Sequence, residues 1–307
     1  MATIGPQPQL KIPRVCTNVL KGHQGSITAV RFNKKGEYCA TAGSDKTCCI
    51  WNPHRGTLIK QYKGHAYEVL DVQIADDNKH LASCGSDKNV FIWDIMNGVT
   101  IRKFKEHKGR VNCIAFNNNC EVIVSGSYDR TVKVWDLRSN NYKPIQSMDD
   151  FTDSVTSVCV TREEIISSCV DGSLRSYDIR KGSLTVDSLG PSITCVSTTN
   201  DEKCIIASLL DGTVRLIDKA TGELLNTYKG HENTNLQVGH CVSNDDTYII
   251  SGSEDGSVHI YDLMEAATLN TLRNHKASVS GVSYHPLAGE TCLLSSSVDG
   301  TVCVWKF

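Results

Sequence analysis

The chain has 307 residues, 40% of them apolar, enough to build a large core, and its formal net charge of −2 carries no electrostatic footprint for nucleic acid. No apolar run is long enough to cross a membrane, and no secretory signal opens the sequence. Met1 to Gln9, with Pro6 and Pro8, reads as a short disordered arm, and residues 10–307 read as a single domain. Arg14 to Leu20 has the same pattern as a later strand beginning at Leu58. The first full unit follows. Ile27, Val30 and Phe32 mark an apolar strand, Asn33-Lys34-Lys35-Gly36 a polar turn, Tyr38 to Ala42 a second strand, and Thr57 to Tyr62 a fourth. The first-strand pattern returns at Val69, Val72 and Ile74, and again at Val111, Ile114 and Phe116.

The third strand of each unit carries the clearest signal. Trp51, Trp93, Trp135, Tyr177, Ile217, Tyr261 and Trp305 fall in register, at steps of 42, 42, 42, 40, 44 and 44 residues, and all four tryptophans occupy this one position. Six residues before each stands an aspartate: Asp45, Asp87, Asp129, Asp171, Asp211, Asp255 and Asp299. Ten residues before stands a hydroxyl in six units: Thr41, Ser83, Ser125, Ser167, Ser251 and Ser295, with Ala207 the exception. Seven units near 42 residues have the period of a four-stranded propeller blade. The expected fold is all-β, a seven-bladed propeller. The seventh unit ends after its third strand, so Arg14 to Leu20 is expected to supply its fourth and close the ring without a bare sheet edge.

These residues resemble the WD-repeat β-propellers over nearly the whole chain. The Gly-His pair that opens such a repeat appears as Gly22-His23, Gly64-His65 and Gly230-His231, with Glu106-His107 and Asn274-His275 as variants. A His, an Asp and a hydroxyl have the composition of a catalytic triad, but several copies of one active site are implausible, and no enzyme is expected. The physical reading is a buried hydrogen-bonded set in which each member satisfies another. Complete sets are expected for His23-Thr41-Asp45-Trp51, His65-Ser83-Asp87-Trp93, His107-Ser125-Asp129-Trp135 and His275-Ser295-Asp299-Trp305. A sixth-unit set, His231-Ser251-Asp255-Tyr261, is expected with tyrosine in place of tryptophan. Units four and five lack both His and Trp and are expected to be looser.

No phosphate loop or nucleophile elbow appears, and no cofactor or metal is expected. Fourteen cysteines do not indicate disulfides. Cys39, Cys48, Cys84, Cys113, Cys159, Cys195, Cys241, Cys292 and Cys303 lie in predicted strands where other units carry Val, Ala or Ile, and no C-x-x-C pair exists. A reducing compartment follows, so cytoplasmic and nuclear localisation is expected.

Binding is expected on loops, because the strands only build the frame. The resemblance places three positions of each unit on the narrower top face, among them Ser26, Glu68, Leu70, Arg110, Asn112, Tyr128, Leu210 and Glu254, a mixed set suited to a protein or peptide. Tyr128 and Arg110 are of the residue types that dominate binding hot spots. For any one of these positions the plainer reading is a solvated side chain. Two consecutive third strands end in D-x-R, at Arg138 and Arg180. They are similar to the motif by which some WD-repeat proteins dock on the adaptor of a cullin-RING ubiquitin ligase; the plainer reading is an arginine pairing within its own blade.

The stretches from Gly43 to Leu58 and from Gly64 to Asp71, with Ser192 to Cys195 and Asp218 to Leu225, resemble the mitogen-activated protein kinase organiser family of WD-repeat scaffolds. That resemblance implies a monomeric propeller with partners among kinase-cascade components, a prolyl hydroxylase of hypoxia signalling and spliceosomal proteins. Two functions therefore stand: a non-catalytic scaffold, and a substrate receptor of a ubiquitin ligase.

Overall fold

The computed structural model describes residues 12–307, and the expected arm at residues 1–9 lies outside them. Among the described residues twenty-eight strands form seven four-stranded antiparallel sheets. In blade one the order from the axis outward is Ile27–Phe32, Cys39–Gly43, Thr47–Asn52 and Thr57–Lys63. Blades two to six repeat this order in sequence. Blade seven is composite: Val279–Tyr284, Leu293–Ser297 and Thr301–Lys306 are joined by Val15–Lys21 as the outer strand. The closing strand runs antiparallel, with Val15 opposite Lys306 and Lys21 opposite Thr301.

The middle strands of each blade are near-continuous apolar runs because both of their faces pack against neighbouring blades. The outer strands alternate with solvent, as in Thr57–Lys63, where Tyr62 is buried and Leu58 and Ile59 are exposed. The apolar clusters span adjacent blades: Tyr62 of blade one packs with Trp93 of blade two, their ring centroids 5.7 Å apart.

Six inner strands carry a β-bulge at one position, between Ile27/Ala29, Val69/Asp71, Val111/Cys113, Val155/Ser157, Ile193/Cys195 and Val279/Gly281. The bulge turns the intervening side chain sideways toward the next blade. The Thr28 hydroxyl donates to Val69 O (2.7 Å), the Asn112 amide to Val155 O (2.6 Å), the Thr156 hydroxyl to Ile193 O (2.7 Å) and the Ser280 hydroxyl to Ile27 O (2.5 Å). The Thr194 hydroxyl makes a longer bond to Val238 O (3.4 Å). Leu70 has no polar group to offer at this position, and blades two and three are joined instead by Asp71 and Gln73, which accept the Ile114 and Phe116 N–H groups at 3.1 and 2.8 Å.

Blade closure is testable. Removing residues 1–21 strips the outer strand from blade seven and exposes the Thr301–Lys306 edge. The truncated protein is expected to aggregate or to melt at least several degrees lower by differential scanning calorimetry. A truncation as soluble and stable as the full chain would contradict the closure.

Candidate functional site

The repeated polar residues form one device four times. In blades one, two, three and seven the indole N–H of Trp51, Trp93, Trp135 and Trp305 donates to Thr41, Ser83, Ser125 and Ser295 at 2.9, 2.8, 2.8 and 2.8 Å. Nε2 of His23, His65, His107 and His275 lies 2.7, 2.7, 2.8 and 2.7 Å from the same hydroxyls. Nδ1 faces Asp45, Asp87, Asp129 and Asp299 at 2.9, 3.0, 2.9 and 3.4 Å. A neutral imidazole protonated on Nδ1 satisfies the whole chain, with indole donating to hydroxyl, hydroxyl to Nε2 and Nδ1 to carboxylate. The carboxylate also accepts from backbone: Asp129 takes the Lys108 and Thr131 N–H groups and the Thr131 hydroxyl. Burial pushes the Asp129 carboxyl up, but the bonds from His107 and Thr131 outweigh it and hold the group well below the ordinary range.

The residue after each aspartate is left-handed. Lys46, Lys88 and Arg130 take φ of 68°, 65° and 64°, whereas blades four to seven place Gly172, Gly212, Gly256 and Gly300 there. Gly43 is needed for a different reason, since a Cβ there would stand 2.5 Å from His23 Nδ1.

The set expected in blade six does not assemble. The Tyr261 hydroxyl projects beyond the place of an indole N–H and itself meets His231 Nδ1 at 3.0 Å. The Ser251 hydroxyl turns to Gly252 O, and Asp255 is tied to Ser257, whose hydroxyl lies 2.9 Å from His259 Nε2. His231 Nε2 and His259 Nδ1 find no partner among the described residues. Burial, with His259 nearby, draws His231 down to about 4.

Blades four and five replace the absent histidine with an arginine four residues after the aspartate. Arg175 pairs with Asp171 at 3.1 Å beneath Phe151, and Arg215 with Asp211 at 2.9 Å. Sequence reasoning missed both, although the position is readable as two residues before the Trp register. It also missed Asp71, buried on an inner strand 3.7 Å from Arg31 and accepting the Val72 and Ile114 N–H groups.

The top-face residues separate into two groups. Arg110, Tyr128 and Leu210 come together around a depression of about 280 Å³, with Val170 and Leu236. The Arg110 guanidinium lies 5.2 Å from the centroid of the Tyr128 ring, which is 57% exposed. Asn112 reaches the same depression but is only 8% exposed and is committed to Ser154 and Val155, because the bulge aims it at the next blade. Glu254 accepts the N–H groups of Thr234, Asn235 and Leu236, so it shapes the loop before blade six rather than standing free. Leu70 lines the central channel, the Ser26 carbonyl accepts the Ser44 N–H, and Glu68 is exposed in blade two. On the opposite face, Arg138 lies 3.2 Å from Asp136 and 3.4 Å from Glu121, and Arg180 lies 3.0 Å from Glu163. Their side chains stay 65% and 76% exposed. Among the described residues no three His, Cys, Asp or Glu side chains converge as metal ligands.

The family profile described as IFT122 first beta-propeller matches residues 14–240, and that described as WD domain, G-beta repeat matches 222–262 and 267–306. Over 244 residues, 79% of this chain and 78% of the relative, the sequence is 54% identical to WD repeat domain-containing protein 83 of Rattus norvegicus. This chain belongs to the WD-repeat β-propeller family. The Homo sapiens protein of the same name is 51% identical over the same coverage. The Dictyostelium discoideum homolog is 36% identical over 254 residues, 74% of this chain and 78% of its own length. WD-repeat propellers are frames for protein interaction, and the saturated His-hydroxyl-Asp sets of this one are part of its frame.

Asp129→Ala strands His107, the Lys108 N–H and Thr131 at once, at about 1–3 kcal/mol for each orphaned buried group. Asp211→Ala frees Thr213 and the more hydrated Arg215, and is expected to lower the melting temperature less. Equal shifts for the two variants in thermal melts would count against the network. A pH effect follows from blade six. His231 is held to about 4 against an ordinary 6.5, so on acidification the unfolded chain takes up that proton first. Stability is complete above about pH 6.5 and falls as pH drops toward 4; His259 and His275, also held low by burial, act in the same direction. The melting temperature is expected to decline between pH 7 and 4.5 and to decline less in His231→Gln. A flat profile over that range would contradict it.

Proposed function

We propose that this WD-repeat propeller is a non-catalytic scaffold that docks protein partners chiefly through the depression bounded by Arg110, Tyr128, Leu210 and Leu236. The carrying observation is the exposed Arg110–Tyr128 stack beside aliphatic walls. An exposed aromatic and an arginine on a rigid frame present large contact area with little ordering entropy to lose on binding. Neighbouring Asn112 and Glu254 are tied into the frame, so recognition falls on the stack and the aliphatic rim. The partners proposed are mitogen-activated protein kinase cascade components, a prolyl hydroxylase of hypoxia signalling and spliceosomal proteins, met by a monomeric propeller in the cytoplasm and nucleus. What supports them is the resemblance to the kinase-organiser family along residues 43–58, 64–71, 192–195 and 218–225, together with the similarity to the proteins named WD repeat domain-containing protein 83.

A second reading, a substrate receptor of a cullin-RING ubiquitin ligase, is favoured by the exposure of Arg138 and Arg180. Each pairs with carboxylates of its own blade, but exposed pairs of this kind contribute little and open readily to a stronger partner.

Affinity purification with mass spectrometry separates the readings. Arg110→Glu and Tyr128→Ala are expected to lose kinase-cascade and spliceosomal partners at least several-fold, with the melting temperature nearly unchanged. Arg138→Ala with Arg180→Ala is expected to leave those partners in place. Loss of a ligase adaptor in the double variant alone would favour the receptor. Retention of every partner by both top-face variants would sink the proposed docking site.

A further inference from the structure

The inner strands surround a channel whose two cavities, of about 230 and 330 Å³, meet at a waist formed by Arg31, Asp71, Ser157 and Cys195. Arg31 and Asp71 answer each other across 3.7 Å. Cys195 is the soft nucleophile of this waist, and its surroundings differ from those of the fully buried thiols of the blades.

Cys195 stands opposite Ser208 in the strand ladder, so their side chains share a face, and Ser197, two residues along, shares it too. Those two serines clamp one ring from blade six. Ser208 Oγ lies 2.7 Å from His240 Nδ1, and Ser197 Oγ lies 2.8 Å from His240 Nε2. His240 is only 5% exposed, so the clamp fixes its ring on the face that carries Cys195, and both residues line the same cavity. A hydroxyl can accept as well as donate, so the two serines hold the ring in one orientation on the face that carries the Cys195 thiol.

The electrostatics run the same way. Burial pushes the Cys195 thiol up, but the His240 ring and its N–H groups outweigh that and draw it down to about 6. Cys48 and Cys241, by contrast, are pushed up to about 12 by burial. The other titratable groups facing Cys195 are Arg31 and Asp71 across the channel and the thiols of Cys113, Cys159 and Cys241.

We propose that Cys195, paired with His240, is a nucleophilic thiol of the channel and a site of oxidation by hydrogen peroxide. The thiolate sulfur attacks one peroxide oxygen; an S–O bond forms as the O–O bond breaks. The departing hydroxide takes the proton that the thiol gave to the imidazole and leaves as water. Sulfur loses two electrons, peroxide gains them, and Cys195 becomes a sulfenic acid. Cavities of this size admit peroxide and exclude a protein thiol.

The test treats the full chain with hydrogen peroxide in the presence of dimedone, then digests with trypsin. The peptide of residues 182–203 carries Cys195 as its sole cysteine. The adduct is expected first on that peptide, ahead of half-buried Cys16 and Cys120 outside the channel, with a rate half-maximal near pH 6. His240→Asn is expected to slow labelling at pH 6.5 more than about tenfold, since the thiolate fraction collapses as the pKa rises toward that of an ordinary thiol. If that variant does not fold, the wild-type pH profile and the slower labelling of Ser208→Ala carry the test. No adduct on Cys195 in the folded protein, labelling no faster than at Cys16 or Cys120, or a half-maximal rate above pH 8 would each overturn the proposal, as would an unchanged rate in a folded His240→Asn.

Discussion

The frame depends on one hydroxyl that serves two rings in each of blades one, two, three and seven. A buried indole N–H and a buried imidazole each leave an unmet polar atom inside an apolar stack of sheets, and an unmet buried group is among the costlier defects a core can hold. Placing Thr41, Ser83, Ser125 or Ser295 between the rings satisfies both, and the aspartate beyond satisfies the other side of the histidine together with the turn it sits in. The network thus ties the third strand, the second strand and the turn between them to the loop that enters the blade. Where one ring changes, the rest reorganises. Tyr261 takes the histidine for itself, and Arg175 and Arg215 neutralise aspartates that have no histidine to meet.

A second constraint joins the blades into a ring. The inner-strand bulges turn Thr28, Asn112, Thr156, Thr194 and Ser280 toward the carbonyl groups of the next blade, and Val15–Lys21 completes the last sheet. A frame fixed within and between blades holds its top-face side chains in place, so Arg110 and Tyr128 offer a partner a preorganised surface. The same rigidity holds the His240 ring against the channel wall, where a looser sheet would let water separate it from Cys195.

The fold was readable because its defining residues recur. Trp51 to Trp305 in register, with an aspartate six residues before each position, identify the third strand without reference to any contact. The closing strand was readable because Arg14 to Leu20 repeats the pattern of an outer strand. The site was readable only in part. The family resemblance places Asn112 and Glu254 on the top face, but it does not register that a bulge aims Asn112 sideways or that the loop of residues 231–239 folds back onto the Glu254 carboxylate. Sequence reasoning also treats cysteines in strands as small apolar residues. That holds for Cys39 and Cys48 but not for Cys195, whose inner-strand position meets a channel and a histidine from a strand 45 residues away in sequence. Contacts between blades are the information that a single repeat does not carry.

The shared hydroxyl can be read directly, because all four tryptophans of the chain are bound by it. Hydrogen exchange of the indole N–H groups, followed by nuclear magnetic resonance, gives four signals and no others of that kind. If the networks hold the blades, all four protons exchange only through large-scale unfolding, with protection approaching that of the most protected backbone amides. In Ser125→Ala the Trp135 signal alone loses protection. Rapid exchange of the four indoles in the native protein, or no selective change at Trp135 in that variant, would contradict the account.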